Sequence, residues 1–366
     1  MLKDIFEKLA PPNLAMEKDP IGLQIGTWSR NVTKILVTLD VNEKVVDEAI
    51  ALGAEMIYCH HAPLFKPLNQ INLDSPTGRM IEKLIKHNIS VYVAHTNLDI
   101  VNGGVNDALA EALELENLQV LYPTNHDSLK KLAVFVPVDY KDKVLNALSN
   151  AGAGWIGNYS HCSFQLQGNG TFMPREGTIP YIGEQNVIEE VEEIRIETIF
   201  QASIQKTVIE AMIDAHPYEE VAYDIYPLDN KGQKYGLGRT GYYKEPLTVE
   251  EFIEKVKQTL SITHLKIVPS KIEKIEKVAV CGGSGSKFIF NAYKEKVDAY
   301  ITGDVSYHEG QWAVDNGVMV IDAGHHQTEH LVIAKVTKYL EDEIKQLNLN
   351  IQTIASTVNT NPFIIL

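Results

Sequence analysis

Lys34-Ile35-Leu36-Val37-Thr38-Leu39-Asp40 is the stretch whose reading decides the fold. A short, nearly unbroken apolar run reads as a strand buried on both faces, as in parallel sheets covered by helices. Working downstream, Val45, Val46, Ala49 and Ile50 recur at helical spacing. A second apolar run, Ile57-Tyr58-Cys59, ends in His60-His61. Helical spacing returns at Met80, Leu84 and Ile85, and a third run, Val91-Tyr92-Val93-Ala94, closes the series. Strands alternating with helices predict an α/β fold.

The same rhythm returns near the other end. Lys277-Val278-Ala279-Val280-Cys281 resembles the run at Lys34, and Val297 to Asp304 resembles the run ending at His60. Lys34 and His60 are 26 positions apart, Lys277 and Asp304 27. Gly317 to Ile321 matches Ile89 to Ala94. Residues 1–127 and 231–366 therefore read as two similar α/β halves of one discontinuous core, with a pseudo-twofold axis as one arrangement. Chance likeness between two α/β stretches gives the same pattern.

The middle, 128–230, reads differently. Leu132 to Pro137 is strand-like, Tyr140 to Ala151 helical, Tyr159 to Gly168 and Glu193 to Gln201 strand-like, Gln205 to Ala215 helical, and Val221 to Tyr226 strand-like. That is a βαββαβ, ferredoxin-like order. Its edges, Asn125-His126-Asp127 and Asp229-Asn230-Lys231-Gly232, are polar and turn-like, as expected of a domain inserted into a host loop.

Composition narrows the function classes. Of 366 residues, 45% are hydrophobic and 22% charged, enough for two or three domains, and the net charge is −15. That charge argues against a general grip on nucleic acid. Cys59, Cys162 and Cys281 lie far apart with no CxxC, so free thiols in a reducing compartment are expected. No apolar run approaches a membrane span, so a cytoplasmic protein is expected.

Chemistry-bearing residues gather just after the apolar runs, where open α/β sheets form their sites. Adjacent residues on a regular strand point to opposite faces. His60 and His61 can share one site only if the strand ends there, and Ala62-Pro63 supplies that ending. The alternative is one buried and one exposed histidine. His325 and Glu329 lie one helical turn apart, behind a Gly324 that permits a sharp turn; alone they also fit a solvated helix start. Asp99 follows the strand ending at Ala94, where a loop aspartate is commonly a turn cap. His95 is a candidate orienting or proton-moving residue, and His308 a candidate proton shuttle at the matching strand end of the second half. Gly282-Gly283-Ser284-Gly285 is either an anion-holding or a plain strand-to-helix turn. Together His60, His61, Asp99, His325 and Glu329 make five N/O ligands with no sulfur. That number suits two divalent ions better than one, with zinc, manganese or iron all compatible.

These strings resemble one family, the NIF-three-like proteins, also named GTP cyclohydrolase 1 type 2 homologues. The resemblance rests on Cys59-His60-His61-Ala62-Pro63-Leu64, on His95-Thr96-Asn97-Leu98-Asp99, on Thr302-Gly303-Asp304 with His308, on Gly324-His325-His326-Gln327-Thr328-Glu329, and on the tail Ser356 to Phe363. Asp19-Pro20-Ile21-Gly22-Leu23 resembles the opening Asp-Asn-x-Gly-Leu motif, with Pro20 where Asn is common and Lys18 where Trp is common. The resemblance implies a dinuclear centre of two divalent metal ions, zinc first, on His60, His61, Asp99, His325 and Glu329. It implies a homohexamer, a trimer of dimers. The middle segment resembles a PII/CutA-like insert, Ala215 to Asp224 being its most distinctive string. Two functions are expected to compete: a metal-dependent hydrolase acting on a nucleotide-like small molecule, or a regulatory or scaffold metal-binding hexamer without turnover.

Overall fold

In the computed structural model, which describes residues 1–364, the strands are β1 (Gly22–Ile25), β2 (Lys34–Thr38), β3 (Met56–Cys59), β4 (Ser90–Val93), β5 (Glu116–Pro137), β6 (Ser163–Phe172) and β7 (Glu189–Gln201). They continue with β8 (Tyr223–Thr248), β9 (Lys266–Val268), β10 (Lys274–Val280), β11 (Ala299–Thr302), β12 (Met319–Asp322) and β13 (Gln352–Ala355). The chain divides into two compact units, residues 1–125 with 235–366, and residues 126–234.

The first unit contains a sheet of order β1-β4-β3-β2-β13. There β13, β2, β3 and β4 run parallel, and β1 is antiparallel to β4. It also contains the strands β8-β10-β11-β12-β9, with β10, β11 and β12 parallel and β8 and β9 antiparallel to their neighbours. The order and direction of β1 to β4 thus recur in β9 to β12. The two sets differ at the outer strand, parallel for β13 and antiparallel for β8.

Period-2 burial explains the apolar run from Lys34 to Asp40. Ile35 and Val37 pack in a core shared with Met56, Tyr58 and Tyr92 and with Ala279, Tyr300 and Val320 of the other sheet. Leu36, with Ile57, Cys59, Val91 and Val93, faces the opposite way onto the helices Glu43–Leu52 and Pro76–Lys86. Val278, Val280, Ala299, Ile301 and Ile321 likewise face the helix Val249–Leu260. Strands buried on both faces have no polar side to display, hence their continuous apolar runs. Local signals also hold: Asn42 caps the helix at Glu43 by accepting from the Val45 amide, and Gly53 ends it at φ +67°.

The second unit runs β5, helix Lys141–Asn150, β6, β7, helix Gln205–Ala215, β8, in the sheet order β6-β7-β5-β8. This is the strand order of a ferredoxin-like fold. Its core is its own, from Leu132, Val134 and Val136 of β5, Ile196 and Phe200 of β7, and Val144, Leu148, Val208 and Met212 of the helices.

One expectation is corrected here. Strands anticipated at Leu132 and Val221 are far longer: β5 has 22 residues and β8 has 26. The polar segments Asn125 to Asp127 and Asp229 to Gly232, read as turns, lie inside them. Pairing between neighbouring strands satisfies their backbone groups and overrides the weak strand preference of Asn, Asp and Gly.

Candidate metal centre

The centre is assembled at the carboxyl ends of parallel strands in the first unit. His60 follows β3, and its amide still bonds to Thr38 and Leu39, so the ladder continues one residue past the strand. Its imidazole is buried, 1% exposed, and Nδ1 lies 2.9 Å from the Ala94 carbonyl. His61 turns the other way around the strand end, with Nδ1 2.8 Å from Asp40 Oδ1. Asp99 sits on the short helix Thr96–Ile100 behind β4. His325 and Glu329 share the helix His325–Glu329 behind β12, entered through Gly324 at φ +88°. His325 Nδ1 lies 2.7 Å from Asp304 Oδ2.

These five side chains meet. Glu329 Oε2 lies 3.1 Å from His61 Nε2 and 3.2 Å from His325 Nε2, and the two imidazole nitrogens are 3.4 Å apart. On the other side, His60 Nε2 lies 3.5 Å from Asp99 Oδ1 and 3.8 Å from Glu329 Oε1. Two groups of possible ligand atoms result, His61/His325/Glu329 and His60/Asp99/Glu329, each within 4.8 Å, and Glu329 belongs to both. His95 falls in a third such group with His60 and His61, its Nδ1 held 2.7 Å from Asp19 Oδ1. Every one of the four imidazoles has Nδ1 engaged by a carboxylate or carbonyl, which fixes the ring and leaves Nε2 for the centre.

Burial makes the fit to a cation testable. His60 Nε2 and Asp99 Oδ1 are buried without a well-formed hydrogen bond, and Glu329 Oε2 has the two imidazole nitrogens of His61 and His325 beside it. Such atoms are costly unless a partner of opposite charge meets them, and their chemistry is that of hard-to-borderline metal ligands. Burial pushes His60 down to about 3. Burial, then the charge of Glu329, pushes Asp99 up to about 7. For His61 burial acts downward, but Asp40 and Glu329 outweigh it and raise the imidazole to about 10. His325 rises to about 9, first through its hydrogen bond to Glu329. Burial opposes ionisation of Glu329, yet His325 and His61 hold its carboxyl far below the usual range. The Glu329 carboxylate favours positive charge on His61 and His325, and a metal ion would take the place of protons there.

His308 is not brought to the centre, and the Gly282 to Gly285 turn fits the plainer of its two readings. His308 stands exposed on the helix Tyr307–Asp315, its ring 3.3 Å from Gln311 Oε1, and belongs to none of the ligand groups. The three glycine amides of the Gly282 to Gly285 turn are engaged. Gly282 bonds to Asn106, Gly283 to Thr328 and Gly285 to Thr302. Its purpose is room: a Cβ on Gly283, at φ +62°, would sit 2.0 Å from Glu329 Oε1. Asp40, Asp304 and Asp19 are the residues whose orienting role the sequence reading missed. Asp40 and Asp304 each lie 21 positions before the histidine they hold. A cavity of about 1130 Å³ opens beside the centre, lined among others by His61, Asp304, His325, His264, Lys266 and Phe363.

Comparison with known proteins agrees with this architecture. A chain from Halalkalibacterium halodurans described as a GTP cyclohydrolase 1 type 2 homolog is 47% identical over 359 residues, covering 98% of this chain and 96% of that one. A Bacillus subtilis protein of the same description matches equally, with 47% identity over the same shares. The crystal structure of a Bacillus cereus protein related to NIF3 superposes with a TM-score of 0.91 at 49% identity, covering 99% of this chain and 97% of that one. The family model described as Duf34/NIF3 (NGG1p interacting factor 3) matches residues 1–362, and the chain belongs to that family.

Proposed function

We propose that this protein is a metal-dependent hydrolase that holds two divalent ions and acts on a nucleotide-like small molecule. The observation that carries the reading is Glu329. It is shared by two ligand groups, one with His61 and His325, the other with His60 and Asp99, and it is buried. A carboxylate between two imidazole sets suits a pair of dications, whose repulsion it offsets. Zinc is the first choice, and iron or manganese would accept the same N/O donors. Two bound ions would supply Lewis-acid polarisation and an acidified water at neutral pH.

The protein's own side chains do the rest. Asp40, Asp304 and the Ala94 carbonyl aim the ligating imidazoles. His95, held by Asp19, would carry a proton to or from the reacting group. In the adjoining cavity, Phe363, 75% exposed, offers a face for a base, while Lys266 and His264 offer donors to phosphate. In solution we propose a hexamer, a trimer of dimers, in the cytoplasm, with the middle unit as a PII/CutA-like module. Among the described residues no helix is long and apolar enough to cross a membrane.

The test has two parts. Metal analysis of protein purified without chelator should give clearly more than one divalent ion per chain. The metal-loaded protein should then hydrolyse at least one member of a nucleotide panel, with product read by chromatography and turnover lost in Glu329→Gln. Full loading without turnover of any nucleotide overturns the hydrolase reading and leaves a metal-binding scaffold.

A further inference from the structure

The middle unit contains a cavity that the metal centre does not use. It measures about 600 Å³, within the usual range for small-molecule sites. Its walls are mainly apolar and aromatic, with Phe172, Tyr181 and Tyr218 prominent. The Tyr218 ring centroid lies 6.0 Å from that of Phe172 and 6.2 Å from that of Tyr181. Into this setting the fold places one buried carboxylate, Glu193 of β7, only 8% exposed.

Among the described residues no ion pair joins Glu193 to a lysine, arginine or histidine; Arg195, two positions along β7, pairs with Glu197 at 2.9 Å and lies over the Phe135 ring. The polar group facing it is the Tyr218 hydroxyl, a hydrogen-bond donor that leaves the carboxylate's charge unneutralised. The position is built for it: a Cβ on Gly170 would lie 2.2 Å from Glu193 Oε2, so the absence of a side chain there makes the carboxylate's space. A second acid, Glu219, ties one wall in place by accepting the Ile179 amide at 3.1 Å. The lining carries three carboxylates, Glu193, Glu219 and Glu220, against one guanidinium, Arg175.

A buried, unpaired carboxylate is costly unless a cation meets it. Aromatic faces attract the same charge. We propose that this cavity is a binding site for a small organic cation, an amine whose ammonium group meets Glu193 and whose carbon skeleton lies on Phe172, Tyr181 and Tyr218. The site is separate from the metal centre, and its test does not depend on any hydrolase activity.

The probes are 2-phenylethylammonium, its neutral counterpart 2-phenylethanol and the anion 3-phenylpropanoate, titrated by calorimetry into the full-length protein. The ammonium should bind saturably, one per chain, and the alcohol and the anion about tenfold more weakly or not at all. Glu193→Gln should lose about tenfold or more of the ammonium affinity, the charge being gone with the size kept. Gly170→Ala should do the same by displacing the carboxylate, and it keeps the test open if Glu193→Gln folds poorly. Glu329→Gln, which alters only the metal centre, should bind the ammonium as the parent does. Equal affinity for the alcohol, undiminished affinity in Gly170→Ala, or no saturable binding of the ammonium up to its solubility would each overturn the proposal.

Discussion

At the scale of single residues, Glu329 is the group on which the centre turns. It reaches His61 and His325 with one oxygen and faces His60 with the other. Glu329→Gln keeps the size and removes the charge, so both ions should be lost or held only weakly. His60→Ala and His61→Ala should each affect mainly one, since each imidazole offers one nitrogen. Metal content at matched melting behaviour checks this, and wild-type occupancy in Glu329→Gln would leave Asp99 as the better bridging candidate. Gly283→Ala is the second test. Its Cβ would meet Glu329 Oε1, and its φ of +62° is unfavourable for a side chain, so we expect about 1 kcal/mol or more of destabilisation together with lost metal. A variant that is destabilised but fully metallated would separate backbone strain from the site. The ligand candidates were legible because each follows an apolar run or stands one helical turn from another. Asp40, Asp304 and Asp19 were not, because a loop carboxylate looks like a turn cap until the fold brings its histidine to it.

At the scale of elements, the short parallel strands were legible because burial on both faces leaves an uninterrupted apolar run. The lengths of β5 and β8 were not, because polar residues within them are held by neighbouring strands and not by local preference. The middle unit nonetheless has its own core and brings Asp127 and Gly232 together, a Gly232 Cβ falling 2.8 Å from the Asp127 carbonyl. Residues 126–234 expressed alone should therefore melt cooperatively; an unfolded fragment would show that the unit needs its host. The same fragment should show a pH dependence from His216. Its Nε2 lies 2.9 Å from the Phe135 carbonyl, and its Nδ1 accepts the Tyr218 amide at 3.1 Å, an arrangement only the neutral ring can make. Burial lowers its pKa below the ordinary 6.5, partly opposed by the Phe135 bond. A lowered folded-state value means that the unfolded chain binds the extra proton first, so this stabilisation is present above about 6.5 and fades as the pH falls below it. The melting temperature should drop between pH 7 and pH 5, and His216→Ala, less stable throughout, should flatten that slope. An unchanged slope would assign the dependence to other groups.

At the scale of the whole molecule, the repeated strand order explains how the centre comes to be shared. Each strand set delivers its polar residues at its own carboxyl ends: His60, His61 and Asp99 from the first, Asp304, His325 and Glu329 from the second. Assembly is the remaining level. The segment between β3 and the helix Pro76–Lys86 has no regular structure, yet Phe65, Leu68, Ile71 and Leu73 stand 61%, 44%, 58% and 49% exposed within nine residues. Large apolar side chains so closely grouped on a surface mark a covered face more often than a free one. We expect six chains of 40.9 kDa, about 245 kDa, by light scattering at micromolar concentration. The double variant Phe65→Glu with Ile71→Glu puts two charges where a neighbouring chain would lie. It should shift the population to smaller species while each chain keeps its melting cooperativity and, because the proposed ligands come from one chain, much of its metal. A parent that runs as a monomer sinks the hexamer. A hexamer that survives both glutamates moves its interface away from this segment. Smaller species that have lost their metal as well would mean that assembly, and not one chain's fold alone, holds the ligands in place.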